Sequence, residues 1–424
     1  MRLILFEATG SENLYPLTYL RATFELRCGH SSLGDKIRRA AGAVTDTAYF
    51  VRDMIAPTAG QRFQGCKVND FAALKGEDLL LVDGRILALD GLPIPDGEGV
   101  VLDGDSVVLA KIAAGTAAEL PSGSVDAFLA AAASRLPRTE GDVTVIRFPW
   151  DLVHHNPEAI AADFKAAGRS GVEGSMHGMS CIYGPEELCY IAPGAEIHPM
   201  VVIDTKGGPV TIDENAVVFP HTRIEGPSYI GPETQIVGGK IREGCSFGPV
   251  CRVGGEVEES IIHGYSNKYH DGFLGHAYVG EWVNLGALTT NSDLKNDYGS
   301  VEVKIGGTTY DTGSTKVGSF IGDHTKTSIG TLLNTGSYIG VMCLLMSSGS
   351  PLPKFIPSFS WFLNGRFSRG AGFKNLMKTA HAATSRRKRS LSEEDVTLLE
   401  NLFEMTKEER KPLIKRDTLK MLRK

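Results

Sequence analysis

Three histidines, His263, His270 and His276, lie close together in the second half of the chain, where they could perform proton-transfer or metal chemistry. A neutral imidazole accepts a proton near pH 7, so each could serve as a general base, and imidazole is also a common metal ligand. Their spacings of seven and six residues indicate, however, that the side chains lie on different turns or faces of the structure. A single shared metal site is therefore the weaker interpretation.

The seven cysteines form neither a Cys-x-x-Cys pair nor a His/Cys pattern with the spacing of a structural zinc site. An odd number of scattered thiols is typical of a reducing compartment, so we predict a cytoplasmic protein. The sequence has no apolar stretch of about 18 residues, which predicts no membrane span. Residues 1–7 lack a signal-peptide core and are expected to begin a buried strand.

The formal net charge of −6 argues against general nucleic-acid binding. The charge is uneven, because residues 374–424 hold 14 Lys and Arg against 8 Asp and Glu, a local +6 that leaves −12 for the rest. This basic tail could contact phosphate, a membrane surface or a neighbouring subunit, or it could be a solvated helical face. At 424 residues the chain is expected to contain two or three modules.

Residues 1–170 alternate apolar runs with helical spacing, which is typical of an α/β domain. We predict strands over 3–6, 78–83 and 143–148, a hairpin around residues 103–105, and helices over 32–41, 125–133 and 157–167. The second strand ends in Asp83, and Asn156 is predicted to cap the last helix.

Residues 183–352 carry an aliphatic residue at about every sixth position, often followed by glycine: Ile212, Val218, Ile224, Ile230 and Ile236, then Ile241, Phe247 and Val253, and later Ile321, Leu333, Ile339 and Leu345. A period of six fits neither an α-helix nor simple strand alternation. It is typical of a solenoid of short strands and tight turns around a narrow core. Residues 289–316 interrupt the period and are polar, which predicts a loop ejected from the coil that could line a binding site.

Residues 353–424 are predicted to form a helical, basic tail, because three prolines end the repeats and two capping boxes follow. One box runs from Ser392 to Asp395 and the other from Thr406 to Glu409.

Two segments of the repeat region resemble a known family. Residues 266–275, Ser-Asn-Lys-Tyr-His-Asp-Gly-Phe-Leu-Gly, and residues 281–287, Glu-Trp-Val-Asn-Leu-Gly-Ala, are similar to the acetyltransferase segments of the bifunctional N-acetylglucosamine-1-phosphate uridyltransferase/glucosamine-1-phosphate acetyltransferases, the GlmU-like family. The resemblance covers most of residues 1–357. It implies an α/β nucleotidyltransferase-like domain followed by a left-handed parallel β-helix that forms a homotrimer.

By this resemblance His270 is the general base that deprotonates an amine attacking a thioester, and a backbone N–H of the turn could stabilise the oxyanion. Asn284 would contact the substrate, Ala287 would line the acetyl-CoA site and Arg242 would bind phosphate. Two positions depart from the family pattern: Phe273 replaces a tyrosine and Glu258 lies near a family lysine, so recognition of the same sugar phosphate is not implied.

In the first domain, residues 14–18, Leu-Tyr-Pro-Leu-Thr, match the nucleotidyltransferase pattern, and residues 33–36 suit the helix that follows it. The resemblance implies a Mg²⁺ site at Asp83 and Asp151, with Asn156 as a competitor for the second role, and phosphate contacts from Arg21 or Arg27. The family's Gly-rich phosphate loop is replaced by residues 7–13, which hold one glycine and two acids and would repel a triphosphate. The family's Pro-Lys pair is replaced by Ala22-Thr23.

We therefore expect a cytoplasmic, trimeric sugar-nucleotide transferase. The first domain would use Mg²⁺ to transfer a nucleotidyl group from a nucleoside triphosphate to a sugar-1-phosphate. The second domain would transfer an acyl group from acetyl-CoA or another acyl-CoA to an amino sugar. Two alternatives stay open: a degenerate sugar-nucleotide-binding domain on a non-catalytic trimeric scaffold, and a β-helix of the carbonic-anhydrase type with zinc between subunits.

Overall fold

The structure, a computed structural model, describes residues 1–422. The chain divides into two compact units. Unit 1 comprises Met1–Leu14, Leu20–Leu26 and Ser31–Arg147, and unit 2 comprises Tyr15–Tyr19, Arg27–His30 and Phe148–Lys424. The predicted first domain, residues 1–170, thus contributes segments to both units.

The first part of the chain alternates short strands with helices, as expected for an α/β domain. In order these are β1 (Arg2–Phe6), β2 (Arg27–Cys28), β3 (Ser31–Ser32), α1 (Leu33–Ala41), β4 (Thr47–Phe50), α2 (Ala56–Arg62), β5 (Lys67–Val68), β6 (Leu79–Asp83), β7 (Gly99–Asp103), β8 (Ser106–Ile112), α3 (Ala114–Glu119) and α4 (Val125–Arg135).

Unit 1 is built on a six-stranded mixed sheet with the order β5-β4-β1-β6-β8-β7. The first four of these strands run parallel, and β7 and β8 form the predicted antiparallel hairpin. All residues of β1 and β6 are buried, because central parallel strands are covered on both faces. Phe6 pairs with Asp83, so the carboxyl ends of β1 and β6 meet at one edge of the sheet.

The predicted strand over residues 143–148 does not form. Val145 makes only an isolated bridge to Ile86, and Phe148 already serves as the N-cap of a helix. Pro149 occupies the first position of that helix, where its missing N–H costs nothing. The start of this helix, at Phe148 and Pro149, therefore coincides with the end of the predicted strand.

Unit 2 is a parallel β-helix followed by helices. Its elements are α5 (Pro149–His154), α6 (Asn156–Ala167), β9 (Gly171–Val172), β10 (Ser175–Met176), β11 (Cys181–Tyr183), β12 (Cys189–Ile191), β13 (Glu196–Ile197), β14 (Val202–Asp204), β15 (Val210–Ile212), β16 (Val217–Val218), β17 (Arg223–Glu225), β18 (Ser228–Ile230), β19 (Gln235–Ile241), β20 (Cys245–Phe247), β21 (Arg252–Glu258), β22 (Ile261–Gly264), β23 (Asn267–Lys268), β24 (Phe273–Gly275), β25 (Tyr278–Glu281), β26 (Thr290–Asn291), β27 (Glu302–Ile305), β28 (Thr308–Asp311), β29 (Ser319–Ile321), β30 (Lys326–Thr327), β31 (Leu332–Leu333), β32 (Ser337–Ile339), β33 (Leu344–Leu345), β34 (Phe355–Ile356), β35 (Trp361–Leu363), β36 (Arg366–Ser368), α7 (Phe373–Ser385), α8 (Glu393–Met405) and α9 (Lys407–Leu422).

The six-residue period produces columns of buried side chains along the β-helix. On one face, residues that pair in register form a continuous interior column: Ile191, Ile212, Ile230, Phe247, Ile262, Val279, Ile321, Ile339 and Ile356. Their side chains join one core cluster that runs through the whole coil. The left-handed parallel β-helix, the preceding α/β domain and the helical tail are the predicted fold.

The β-helix extends beyond both predicted limits, residues 183 and 352. Its first strand, β9, precedes the recognisable repeat because residues 173–181 contain no Val, Ile or Leu and leave the aliphatic pattern incomplete. At the other end, β34 and β35 still pair with the coils before them, and β36 folds back antiparallel. The interruption over residues 289–316 contains the hairpin of β27 and β28.

Two predicted helix caps differ in the structure. Asn156 is the first residue of α6 rather than its cap, and its fully buried side chain bonds instead to the Gly29 N–H, the Gly244 carbonyl and the Ser246 hydroxyl. Thr406 donates its hydroxyl to the Leu402 carbonyl at the end of α8, so the second capping box is not formed. The first box, from Ser392 to Asp395, is present. No helix among residues 1–422 is long and apolar enough to cross a bilayer.

Candidate functional site

The predicted general base lies in a turn that stacks on the predicted acyl-CoA turn. His270 is exposed in the connection between β23 and β24. The next residue, Asp271, accepts a 2.8 Å hydrogen bond from the Leu288 N–H, directly after Ala287. Gly272 has φ +127°, and a side chain there would collide with the Thr289 carbonyl, so glycine permits this close stacking. His270 and Ala287 are therefore on adjacent coils that touch.

Asn284 lies on the same coil as Ala287 and is held by the neighbouring coil. Its Oδ1 accepts a 3.2 Å hydrogen bond from Asn267 Nδ2, and Asn267 in turn accepts a 3.0 Å bond from Arg387 Nη2. These side chains and Lys326 border a cavity of about 280 Å³, with the stacked rings of Tyr265 and Trp282 among its walls. The basic tail thus contacts Asn267, the hydrogen-bond partner of the predicted substrate residue, and this contact was not predicted from the sequence.

Lys268, like the contact from the basic tail, belongs to the site but was not predicted from the sequence. It pairs with Val253 in an interior column, where an aliphatic side chain is expected. Its ammonium is buried and donates hydrogen bonds of 2.9 Å to the Gly254 carbonyl and 2.6 Å to the His270 carbonyl. Burial lowers the pKa of Lys268 to about 8. The presence of a lysine at a position of the six-residue period, where an aliphatic residue is expected, could have identified this residue from the sequence. The hydrogen bond from its ammonium to the His270 carbonyl fixes the backbone that carries His270.

The other two histidines are engaged elsewhere. His263 Nδ1 lies 2.9 Å from the Tyr278 hydroxyl. His276 is buried between Asp293 at 2.8 Å and Glu259 at 3.3 Å. Burial alone would lower the pKa of His276, but the bonds to these two carboxylates outweigh it and raise the pKa to about 9. His276 therefore stands as an imidazolium that ties the inserted loop to the coil, and the three histidines share no site within this chain.

Arg242, the predicted phosphate ligand, is surrounded by carboxylates. Its guanidinium lies 2.8 Å from Glu258, 3.5 Å from Glu243 and 3.9 Å from Glu225. Within residues 1–422, Glu243, Glu258 and Glu259 are the one group of three or more potential metal ligands whose atoms lie within 4.8 Å of one another. A phosphate would have to displace these acids from Arg242, so the phosphate role remains a hypothesis.

In unit 1, Asp83 ends β6 at the sheet edge, as predicted. Its carboxylate is fully buried and is bound by Arg85, whose Nε lies 3.2 Å from both oxygens and whose Nη2 lies 2.7 Å from Oδ2. The backbone N–H of Arg85 adds a 2.9 Å bond. The guanidinium thus fills the cation position beside Asp83. In this arrangement the residues do not fit a Mg²⁺ ion.

The acids that replace the Gly-rich loop occupy the donors a phosphate would need. Glu7 accepts from the backbone N–H groups of Thr23 and Arg52 at 3.0 Å each and pairs with the Arg52 side chain. Glu12 accepts from the N–H of Gly10 at 3.1 Å. These bonds explain how two acids are tolerated here, because Glu12 is bound by a backbone N–H of its own segment and Glu7 by Thr23 and Arg52 outside it.

The remaining predicted residues are distributed over both units. Arg21 is buried in unit 1, where its carbonyl accepts from Arg52. Arg27 belongs to unit 2, donates to the His263 carbonyl and lies 5.7 Å from the Tyr229 ring centroid. Asp151, also in unit 2, accepts from the Phe148 N–H at the start of α5. The structure therefore groups Asp83 with Arg21 in one unit and assigns Arg27 and Asp151 to the other.

Removing the Asp83 charge should destabilise unit 1 through Arg85. The substitution Asp83→Asn leaves a nearly buried guanidinium without its carboxylate, which typically costs about 3–5 kcal/mol. Hydrogen exchange of the β6 amides in the full-length chain would measure the loss of protection. The matched control is Asp105→Asn on the exposed hairpin turn, which should leave exchange unchanged. Unchanged β6 protection in the Asp83 variant would show that the ion pair does not stabilise the sheet.

Comparisons with known proteins agree with this architecture. Residues 3–170 match the sugar nucleotidyl transferase family. The bifunctional sugar-1-phosphate nucleotidylyltransferase/acetyltransferase of Sulfurisphaera tokodaii is 35% identical over 145 residues, which are 31% of this chain and 34% of that protein. The bifunctional protein GlmU of Synechococcus elongatus is 26% identical over 185 residues, 42% of this chain and 32% of that protein.

The bifunctional protein GlmU of Polaromonas naphthalenivorans is 34% identical over 113 residues, 26% of this chain and 21% of that protein. The matched segments thus span between about a fifth and a third of the length of these relatives. A solved UDP-N-acetylglucosamine acyltransferase from Francisella novicida aligns at 15% identity with a TM-score of 0.30, over 55% of this chain and 87% of that one. The resemblance to the GlmU-like family is confirmed by the family match and the relatives.

Proposed function

We propose that this chain is a transferase of sugar-nucleotide metabolism whose β-helix transfers an acyl group from acetyl-CoA or another acyl-CoA to an amino sugar. The observation that carries the proposal is the pair of stacked turns, which joins the exposed His270 to the coil of Asn284 and Ala287. Acyl transfer to an amine requires a general base, a side chain that binds the acceptor, and a surface that binds the thioester. His270, the Asn284 amide and the coil at Ala287 would supply these three parts.

In this mechanism the amine attacks the thioester carbonyl, and a C–N bond forms. His270 accepts the proton that the amine loses. The tetrahedral intermediate then collapses, the C–S bond breaks, and the coenzyme A thiolate leaves and regains the proton from the imidazolium. Lys268 acts as a positioning residue, because its buried ammonium binds the carbonyl of His270 rather than the reacting groups. Asn284 would orient the acceptor.

The direct test is acyl transfer by the full-length protein. The protein is incubated with acetyl-CoA and a panel of amino sugars, amino-sugar 1-phosphates and nucleotide-linked amino sugars. We expect release of free thiol together with an acylated product identified by mass spectrometry. If no acceptor in the panel releases thiol above the rate without protein, the acyl-transfer proposal is wrong.

We also propose that the protein is a cytoplasmic homotrimer. The family's trimer supports this, as does the exposure of His270 on a single chain, because a base needs a partner surface to exclude water from the reaction. All seven cysteines are free, which suits a reducing compartment. Light scattering at micromolar concentration should give three times the chain mass of 45.6 kDa. A monomer at that concentration would show that the homotrimer proposal is wrong.

For unit 1 two functions compete. The family match supports nucleotidyl transfer between a nucleoside triphosphate and a sugar-1-phosphate. The occupied carboxylates of Asp83 and Glu7 favour binding of a sugar nucleotide without transfer. Pyrophosphate release separates them: the protein is incubated with each triphosphate, a panel of sugar-1-phosphates, and Mg²⁺ or EDTA. Metal-dependent release supports transfer, whereas binding of a sugar nucleotide without release supports the second function.

A further inference from the structure

The last helices and the final β-hairpin border a large cavity that neither proposed reaction uses. It lies between β35, β36, α8 and α9 and has a volume of about 1210 Å³. Pockets for small molecules usually measure about 300–1,000 Å³. Six apolar side chains line it, among them Phe403, Phe367, Ile414 and Met421, together with ten polar or charged ones. The space is therefore large enough for a long hydrocarbon chain.

The charged residues around this cavity are almost all cations. Arg366, Arg369 and Lys415 line it, and in the part of the chain that the structure describes none of these three makes an ion pair. Asp417 is the one acid lining it among the described residues, and its carboxylate is already bound by the Phe367 N–H at 2.9 Å and by Arg416 at 2.8 Å. The cavity thus offers positive charge that residues 1–422 do not neutralise by ion pairs.

We propose that this cavity binds a long-chain amphiphile with an anionic head, either a phosphate or a carboxylate. The chain would lie against the apolar walls, and the head would accept charge-assisted hydrogen bonds from Arg366, Arg369 and Lys415. Leu419 and Met421 at the cavity are 45% and 54% exposed, and covering them with a hydrocarbon chain is favourable. The inference does not depend on acyl transfer at His270.

The concave shape favours one amphiphile molecule over a flat membrane surface. Dodecyl phosphate below its micelle concentration is therefore the probe, and calorimetry with the full-length protein should give one site per chain. Replacing Arg366, Arg369 and Lys415 together with Gln should weaken binding by at least about tenfold, because the anionic head then loses its charge-assisted hydrogen bonds. Lys420→Gln, an exposed change on the same helix, is the matched control and should bind normally.

A second variant tests the cavity without changing its charge. Thr418 is exposed at the cavity wall, so Thr418→Trp fills the space without disturbing the core and should abolish binding. Acyl transfer, far-ultraviolet circular dichroism and oligomeric state should stay at the wild-type values. Wild-type binding by the Thr418 variant would overturn the proposal.

Three probes with related chemistry distinguish the alternatives. Dodecyltrimethylammonium has the same chain with a cationic head and should bind at least tenfold more weakly than dodecyl phosphate; equal binding would overturn the role of the cations. Inorganic phosphate alone should not displace dodecyl phosphate at equal concentration. If the protein sediments with vesicles of phosphatidylglycerol and phosphatidylcholine but does not bind monomeric dodecyl phosphate, the site is a membrane surface and the cavity proposal is wrong.

Discussion

Replacing His270 with alanine should lower the rate of acyl transfer by roughly 10²–10⁴-fold, the usual contribution of a positioned general base. The physical reason is that the attacking amine then loses its proton only to solvent. Binding of acyl-CoA should change little, because the thioester is proposed to lie along the coil near Ala287 rather than on the imidazole. The measurement is thiol release under saturating acyl-CoA, with acyl-CoA binding measured separately on the same variant.

The structure supplies a matched control for this experiment. His177 is also an exposed histidine of the β-helix, on a coil near its beginning, and His177→Ala should keep wild-type transfer. The unfolding midpoint of both variants should match that of the wild type, since exposed side chains contribute little to a solenoid core. Equal turnover in the two variants would exclude His270 as the base and direct attention to the inserted loop around Asn291.

Replacing His276 with glutamine should destabilise unit 2 by about 3 kcal/mol near pH 6. The imidazolium lies between Asp293 and Glu259, and its loss leaves two partly buried carboxylates facing each other. Asp293 is in the inserted segment and Glu259 is in the coil, so the same change should also loosen the insertion. Urea unfolding followed by tryptophan fluorescence measures the effect.

Tryptophan fluorescence is specific to unit 2, because the three tryptophans of the chain, Trp150, Trp282 and Trp361, all belong to it. The control is His177→Gln, which removes an exposed histidine and should leave the free energy of unfolding unchanged. A variant of His276 with wild-type stability at pH 6 would show that the ion triad is not a structural element of the coil.

The stability supplied by His276 should depend on pH with a defined sign. Its pKa rises from an ordinary value near 6.5 to about 9 in the folded chain, so the folded state holds the proton more tightly than the unfolded state. The contribution is therefore complete below about pH 6.5 and is lost as the pH rises through about 9. The wild type should lose stability over this range, and His276→Gln should lose less. Parallel pH profiles of the two proteins would contradict the assignment.

Much of the β-helix could be predicted from the sequence because its core is set by local geometry. Each short strand projects one side chain inward, and the next inward position follows six residues later, so Ile212, Val218 and Ile224 mark three successive strands of the coil. The first coil escaped prediction because residues 173–181 contain no Val, Ile or Leu, so the periodic signal is absent although the backbone pairs as in later coils. The strand predicted before Pro149 failed because a helix cap competed for the same residues.

The candidate site also has features that the sequence predicted and features that only the tertiary structure decided. The sequence by itself determined the β-helix and the neighbouring coils on which His270, Asn284 and Ala287 lie, because the repeat fixes how the coils stack. The roles of these three residues come from the resemblance to a family and stay predictions. Only the tertiary structure decided which charged groups remain available. Asp83 binds Arg85, Arg242 binds Glu258, and Arg27 packs within the β-helix unit. Whether two charged groups form an ion pair depends on their distance in space and on their burial. No local sequence pattern records either quantity, so the tertiary structure decides which charged residues stay available.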